Sequence, residues 1–158
     1  MHTSPWLTMM LTCLTIGSGC SSRSDPDYVG PRTTAFKSGV SFAVHLKATS
    51  AGPQTISRTS PFTANESITL HQSPIVTNQD IKELSIEEAP GQWASITVRF
   101  NQNGVKRLSD AIRTEGCEYA VLIDDRIVAI YEASEGQDAS YLELGGSVYV
   151  TDIHSFVD

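Results

Sequence analysis

GQWASITVRFNQNGVKRLSDAIRTEGCEYAVLIDDRIVAIYE, Gly91 to Glu132, reads as a strand, a helix and a hairpin in succession. From Trp93 to Phe100 the residues alternate, with Ala94, Ile96, Val98 and Phe100 on one face and Ser95, Thr97 and Arg99 on the other. A period of two sets one face on a core and the other in water. Asn101 offers a side-chain oxygen as helix N-cap, and Val105, Leu108, Ala111 and Ile112 recur at helical spacing. Lys106, Arg107, Asp110 and Arg113 fall between them and are expected in solvent. The helix is expected over Gln102 to Glu115, closed by Gly116, which adopts the left-handed conformation without a Cβ penalty. Tyr119–Ile123 and Ile127–Tyr131 are apolar runs parted by Asp124, Asp125 and Arg126, the pattern of a hairpin.

The 158 residues hold one domain of ordinary size plus tails. Clear periodicity begins near Val40, which leaves about 120 residues, enough for one hydrophobic core. The net charge of −7 excludes the basic footprint that nucleic acid requires. No more than two basic residues are adjacent anywhere, so a polybasic membrane patch is missing too. Three cysteines, Cys13, Cys20 and Cys117, make no disulfide framework.

Residues 1–20 read as a signal peptide. Trp6 to Ile16 is apolar, too short to span a bilayer but suited to the hydrophobic region of a secretory leader. It ends in Gly17, Ser18 and Gly19, followed at once by Cys20. A small-residue run ending in Cys resembles the lipobox of bacterial lipoproteins, which implies acylation of Cys20. Gly17 stands where the lipobox usually has Leu, and the leader carries no Lys or Arg. The alternatives are a cleaved leader with an incidental Cys, or a misplaced start. Residues 21–39, rich in Ser, Pro, Gly and Asp, read as a flexible tether that would span about 25 Å.

Residues 40–158 form the expected folded domain. Val40, Phe42, Val44 and Leu46 alternate with polar residues as its first strand. Thr49 to Glu66 is rich in Ser, Thr and Pro and is expected to be a mobile loop. Ser67 to His71 is a short strand. Thr77 then caps a short helix, with Asp80 completing a capping box and Val76 and Ile81 spaced as a hydrophobic staple. Leu84 to Ala89 is expected to turn at Pro90-Gly91 into Trp93. Ala133 to Ser140 reads as a polar loop, and Tyr141–Leu144 and Ser147–Thr151 as two last strands about Gly145-Gly146.

Pro74, Val76, Thr77, Asp80 and Ile81, then Asn101 and Gly104, then Ile123, Asp124, Asp125 and Arg126 follow one another in an order and spacing that resembles a known family. It is the head subdomain of the first periplasmic domain of the protein-export subunit SecD, and the likeness covers Val40 to Ile153. Asp125 stands where the family's hairpin turn usually has Gly, and Tyr131 where its second hairpin strand commonly has Pro. SecD also carries transmembrane helices, whereas this chain has no second apolar run of the length a bilayer needs. The resemblance therefore implies a head-like module detached from the membrane motor.

No constellation points to catalysis. His2, His45, His71 and His154 are scattered, without metal-ligand spacing, and read as strand or surface residues. Asp124-Asp125 lacks the further oxygen ligands of a calcium loop and reads as a turn. Glu87 and Glu88 point to opposite faces of a strand and read as solvated charges or edge protection. Cys117 lies between Glu115 and Glu118 with no His close in sequence, so a nucleophile is not expected. GxSxG, HExxH, Walker and dinucleotide motifs are all missing.

The expected fold is α+β, a mainly antiparallel sheet of four to six strands with one principal helix packed on one face. The expected function is a non-enzymatic, extracytoplasmic binding or assembly module without cofactor or metal, anchored through Cys20 in the cell envelope. Its expected partners are an exported or unfolded polypeptide or an envelope membrane protein, and not nucleic acid. A small envelope enzyme with a site assembled from distant residues, or a purely structural lipoprotein, are the alternatives.

Overall fold

The computed structural model describes residues 29–62, 66–88, 94–113, 116–145 and 154–158. The leader, Cys20, residues 21–28, the Pro90-Gly91 turn and the Ser147–Thr151 strand lie outside the described residues.

Among the described residues ten strands and one α-helix of more than two turns follow in order. They are β1 (Val29–Thr34), β2 (Phe42–Leu46), β3 (Thr55–Thr59), β4 (Ser67–His71), β5 (Val76–Thr77), β6 (Ile81–Glu88), β7 (Ala94–Phe100), α1 (Gln102–Ala111), β8 (Glu118–Ile123), β9 (Arg126–Glu132) and β10 (Tyr141–Leu144). The expected composition holds in its coarse form, antiparallel strands with one principal helix. The single sheet does not: the strands make three sheets, ordered β1-β6-β7-β10, β5-β2-β8-β9 and β3-β4.

The main core is built from the first two sheets and α1. β7 buries Ala94, Ile96, Val98 and Phe100, as its alternation requires, and β6 and β10 add Leu84, Ile86, Leu142 and Leu144. From the second sheet come Phe42, Val44, Tyr119, Val121, Ile123 and Ala129. The other side of that sheet carries Ala120, Leu122 and Ile127, which pack with Ile68 and Leu70 of β4 into a second, smaller core. The β3–β4 hairpin is thus a third layer.

Two expectations of irregular chain fail here. Within the supposed mobile loop, Thr55–Thr59 pairs residue for residue with Ser67–His71. Ile56 packs on the smaller core while its neighbours face outward, and one apolar residue per strand is too weak a period to read. The tether also ends early, because Val29–Thr34 pairs with β6. What holds β1 is distant in sequence: Arg32 reaches Glu88 at 3.2 Å, and Thr34 donates to the Asp158 carbonyl at 2.7 Å. Phe156 and Val157 are buried beside it.

The expected helix after Thr77 shrinks to one 3-10 turn, Asn78–Asp80, before β6 begins. Its cap survives, since the Thr77 N–H donates to Asp80 Oδ2 at 3.0 Å. α1 starts against this turn. Asn101 Oδ1 accepts from the N–H groups of Asn103 and Gly104, each at 3.0 Å, and Asn101 Nδ2 donates to the Gln79 carbonyl. Asp80 is buried and ion-paired with Arg107 at 3.3 Å. The helix ends at Ala111 and not at Glu115. Gly116 does take positive φ, at 77°, but its N–H bonds the Ala133 carbonyl, so it leads the chain into β8 and caps nothing.

The approach of α1 to the 3-10 turn depends on Gly104. A Cβ there would lie 2.9 Å from both Asp80 Cβ and the Asp80 carbonyl oxygen, and 3.0 Å from Phe100 Cβ. Gly→Ala inside a helix ordinarily stabilises by up to about 1 kcal/mol. Here Gly104→Ala is expected to cost about 1–3 kcal/mol through overpacking. The buried Leu108→Ala should cost about 2–5 kcal/mol, and the exposed Lys106→Ala less than about 0.5 kcal/mol. Urea unfolding reads all three, and a stabilised Gly104→Ala would contradict this packing.

Candidate functional site

Each four-stranded sheet has two outer strands, and among the described residues two of the four outer edges have neighbours. Residues 35–37 beyond β1 pair with Phe156–Asp158. β5 is two residues long and lies against α1. β9 and β10 are the outer strands that approach each other along one side of the two sheets, and among the described residues a groove separates them.

The pairing register determines which backbone groups face that groove. In an antiparallel ladder, alternate residues turn their N–H and C=O away from the partner. Ala133 N–H donates to the Cys117 carbonyl at 2.8 Å, which makes that pair a bonded one. Glu118↔Glu132 is then non-bonded, Tyr119↔Tyr131 bonded and Ala120↔Ile130 non-bonded. Ile130 and Glu132 therefore direct their backbone groups to the outer edge of β9. On β10, Phe100 N–H donates to the Ser140 carbonyl, and the same count sends the groups of Tyr141 and Glu143 outward. Among the described residues no strand pairs with either edge.

The groove between them has a volume of about 370 Å³ and is lined by Phe62, Ala129, Ile130, Tyr131, Glu143 and Leu144, together with Gly145. Ala129 and Leu144 are buried and form its floor. Phe62, from the chain after β3, stands at the rim with 48% of its surface exposed, the most exposed large apolar side chain among the described residues. Glu143 is exposed beside it, in a chain whose net charge is −7.

Tyr131 bridges the two edges. Its ring stacks on Tyr119 with centroids 5.3 Å apart, and its hydroxyl donates to the outward carbonyl of Glu143 at 2.7 Å. Burial, then the neighbouring Tyr119 and Glu143, push the Tyr131 phenol up to about 12. Burial is also the main cause that raises Tyr119, against the opposing hydrogen bond from Gln137. The Tyr131 hydroxyl thus remains a proton donor throughout the physiological range.

The residues singled out in the sequence lie elsewhere. Glu87 and Glu88 do not guard an edge, because β6 runs between β1 and β7, and Glu88 is the partner of Arg32 and of His154 Nε2 at 3.7 Å. Asp124 and Asp125 take positive φ, 49° and 62°, as the two turn residues of the hairpin, and Asp125 pairs with Arg58 at 3.1 Å. His45 is buried, with Nδ1 2.8 Å from the His71 carbonyl, and fastens β2 to β4. Cys117 is half-buried with Sγ 3.8 Å from the Ala111 carbonyl. Among the described residues no group of three His, Cys, Asp or Glu is placed to hold a metal, and no helix is long and apolar enough to cross a membrane.

The described part of the chain is thus an antiparallel two-sheet packing with one helix, a third two-stranded layer and one open seam. Comparison with known protein families, with curated proteins and with solved structures finds no match.

Proposed function

We propose that this chain is a non-enzymatic, extracytoplasmic binding module that takes an extended polypeptide segment into the seam between β9 and β10. The observation that carries the reading is the pair of facing edges, with outward backbone groups at Ile130, Glu132, Tyr141 and Glu143 above an apolar floor. An added strand gains affinity from backbone hydrogen bonds, and alternate side chains enter the groove. Ala129, Ile130, Leu144 and Phe62 favour apolar side chains there, while Glu143, in a chain of net charge −7, favours Lys or Arg at the rim. The occupant is therefore an extended segment of alternating apolar and basic residues. The resemblance of Pro74–Ile81, Asn101–Gly104 and Ile123–Arg126 to the SecD head supports the same reading, since such a module meets chains before they fold.

Affinity is expected to be modest. Each backbone hydrogen bond contributes a net of about 0.5–1.5 kcal/mol, and ordering a flexible segment opposes much of that gain. Titrating the isotope-labelled protein with an alternating valine–lysine peptide should give a micromolar or weaker Kd. Amide shifts should centre on Phe62, Ile130, Glu132, Tyr141 and Glu143, and a valine–glutamate peptide should bind less tightly. Shifts confined to Lys106, Asp110 and Arg113 would assign binding to the helix face instead, and a silent spectrum would remove the proposal.

The same reading holds the module to an envelope membrane through acylation of Cys20, which follows the small residues Gly17, Ser18 and Gly19. One acyl chain binds a bilayer only marginally, so stable anchoring takes several. Cys20→Ala should move the protein from the membrane fraction to the soluble extracytoplasmic fraction. A wild-type protein that is soluble and incorporates no labelled fatty acid contradicts the anchor.

A further inference from the structure

We infer that the Tyr131 hydroxyl is a latch on the seam: it occupies the Glu143 carbonyl that an incoming strand needs, and it must leave before that strand can pair with β10. The inference rests on the seam being the binding site and adds which edge is used and what it costs to open.

The geometry makes the competition direct. The Glu143 carbonyl points out of its sheet, towards the groove, and is the acceptor to which a strand added beside β10 would donate an N–H. The Tyr131 hydroxyl already bonds it at 2.7 Å, from the other wall of the same groove. This hydrogen bond joins β9 to β10 and ties the two edges together, with no backbone pairing between them among the described residues. The hydroxyl is well suited to the role. It is carried on a ring fixed by its stack on Tyr119, so it stays in place when the seam is empty, and a shift of β10 releases it. Once released it bonds to water, and the groove floor of Ala129 and Leu144 becomes available to the side chains of the strand. An open edge that pairs with anything is a hazard in a crowded compartment. A latch that yields only to a segment with groove-filling side chains makes binding conditional on those side chains.

Tyr131→Phe tests this, because it removes the hydroxyl and keeps the ring stack. A latch worth one neutral hydrogen bond predicts that the variant binds the valine–lysine peptide about two- to tenfold more tightly than the wild type. A second readout uses the wild type alone. In the complex, a through-bond coupling should connect a peptide amide nitrogen to the Glu143 carbonyl carbon, and the Tyr131 ring signals should shift. Because a carbonyl can accept two hydrogen bonds, unchanged affinity in Tyr131→Phe would mean that hydroxyl and strand share Glu143, and the latch would be overturned. Weaker binding by the variant, or a peptide coupled only to the Ile130 or Glu132 carbonyl, would overturn it equally. In those cases the wild type still binds and the seam reading stands, whereas a wild type that binds no peptide removes both.

Discussion

β8 is the strand that has water on neither face, and the remainder of the structure follows from that. From Tyr119 to Ile123 every residue is buried. Tyr119, Val121 and Ile123 point into the main core, and Ala120 and Leu122 into the smaller one. Burying a large apolar side chain is worth about 1.5–3 kcal/mol relative to leaving it in water. A sheet covered on one side would forfeit that gain for Leu122 and expose Ile127 with it. The β3–β4 hairpin supplies the second cover, and Ile68 and Leu70 complete the contact. It is fastened at its near end by His45, whose ring nitrogen meets the His71 carbonyl, and by the Ala48 N–H, which donates to the Thr69 carbonyl at 2.9 Å.

Two consequences reach the seam. The hairpin layer carries the chain onward to Phe62, which is how an apolar side chain comes to stand at the groove rim. And because β9 pairs with β8 on one side only, its other side is an edge that must be managed. The register slips between Val121 and Leu122, leaving an extra residue on β9. Such bulges twist an edge strand away from casual partners. Glu132 and Glu143 add like charges that repel another acidic copy of this chain, and Tyr131 ties the two edges together. Among the described residues those features leave a surface that is guarded and yet not covered.

The parts of the fold that were legible in the sequence are those fixed by neighbours along the chain. β7 alternates cleanly, Asn101 caps α1, and two aspartates alone separate β8 from β9, so local chemistry suffices. What was not legible depends on residues far away. β1 exists because Glu88 and Asp158 receive Arg32 and Thr34, and no period within Val29–Thr34 announces it. β3 has a weak apolar period because the layer it belongs to is itself half in water. The unbroken apolar run of β8 carried the clue to a third layer, since a strand covered on one face alternates and one covered on both does not. Glu88 was misplaced for the same reason: a strand's position in its sheet is a non-local property. The seam was out of reach altogether, as Tyr131 and Glu143 meet only once two separate sheets have packed.

The β3–β4 layer is an integral cover of β8, and amide hydrogen exchange puts that to the test. Bonded amides in Thr55–Thr59 and Ser67–His71 are expected to be protected, and those facing Ala120 and Leu122 to exchange only in the same cooperative opening as β8 itself. Exchange of Thr55–Thr59 at the rate of an unstructured chain, with β8 still protected, would contradict it.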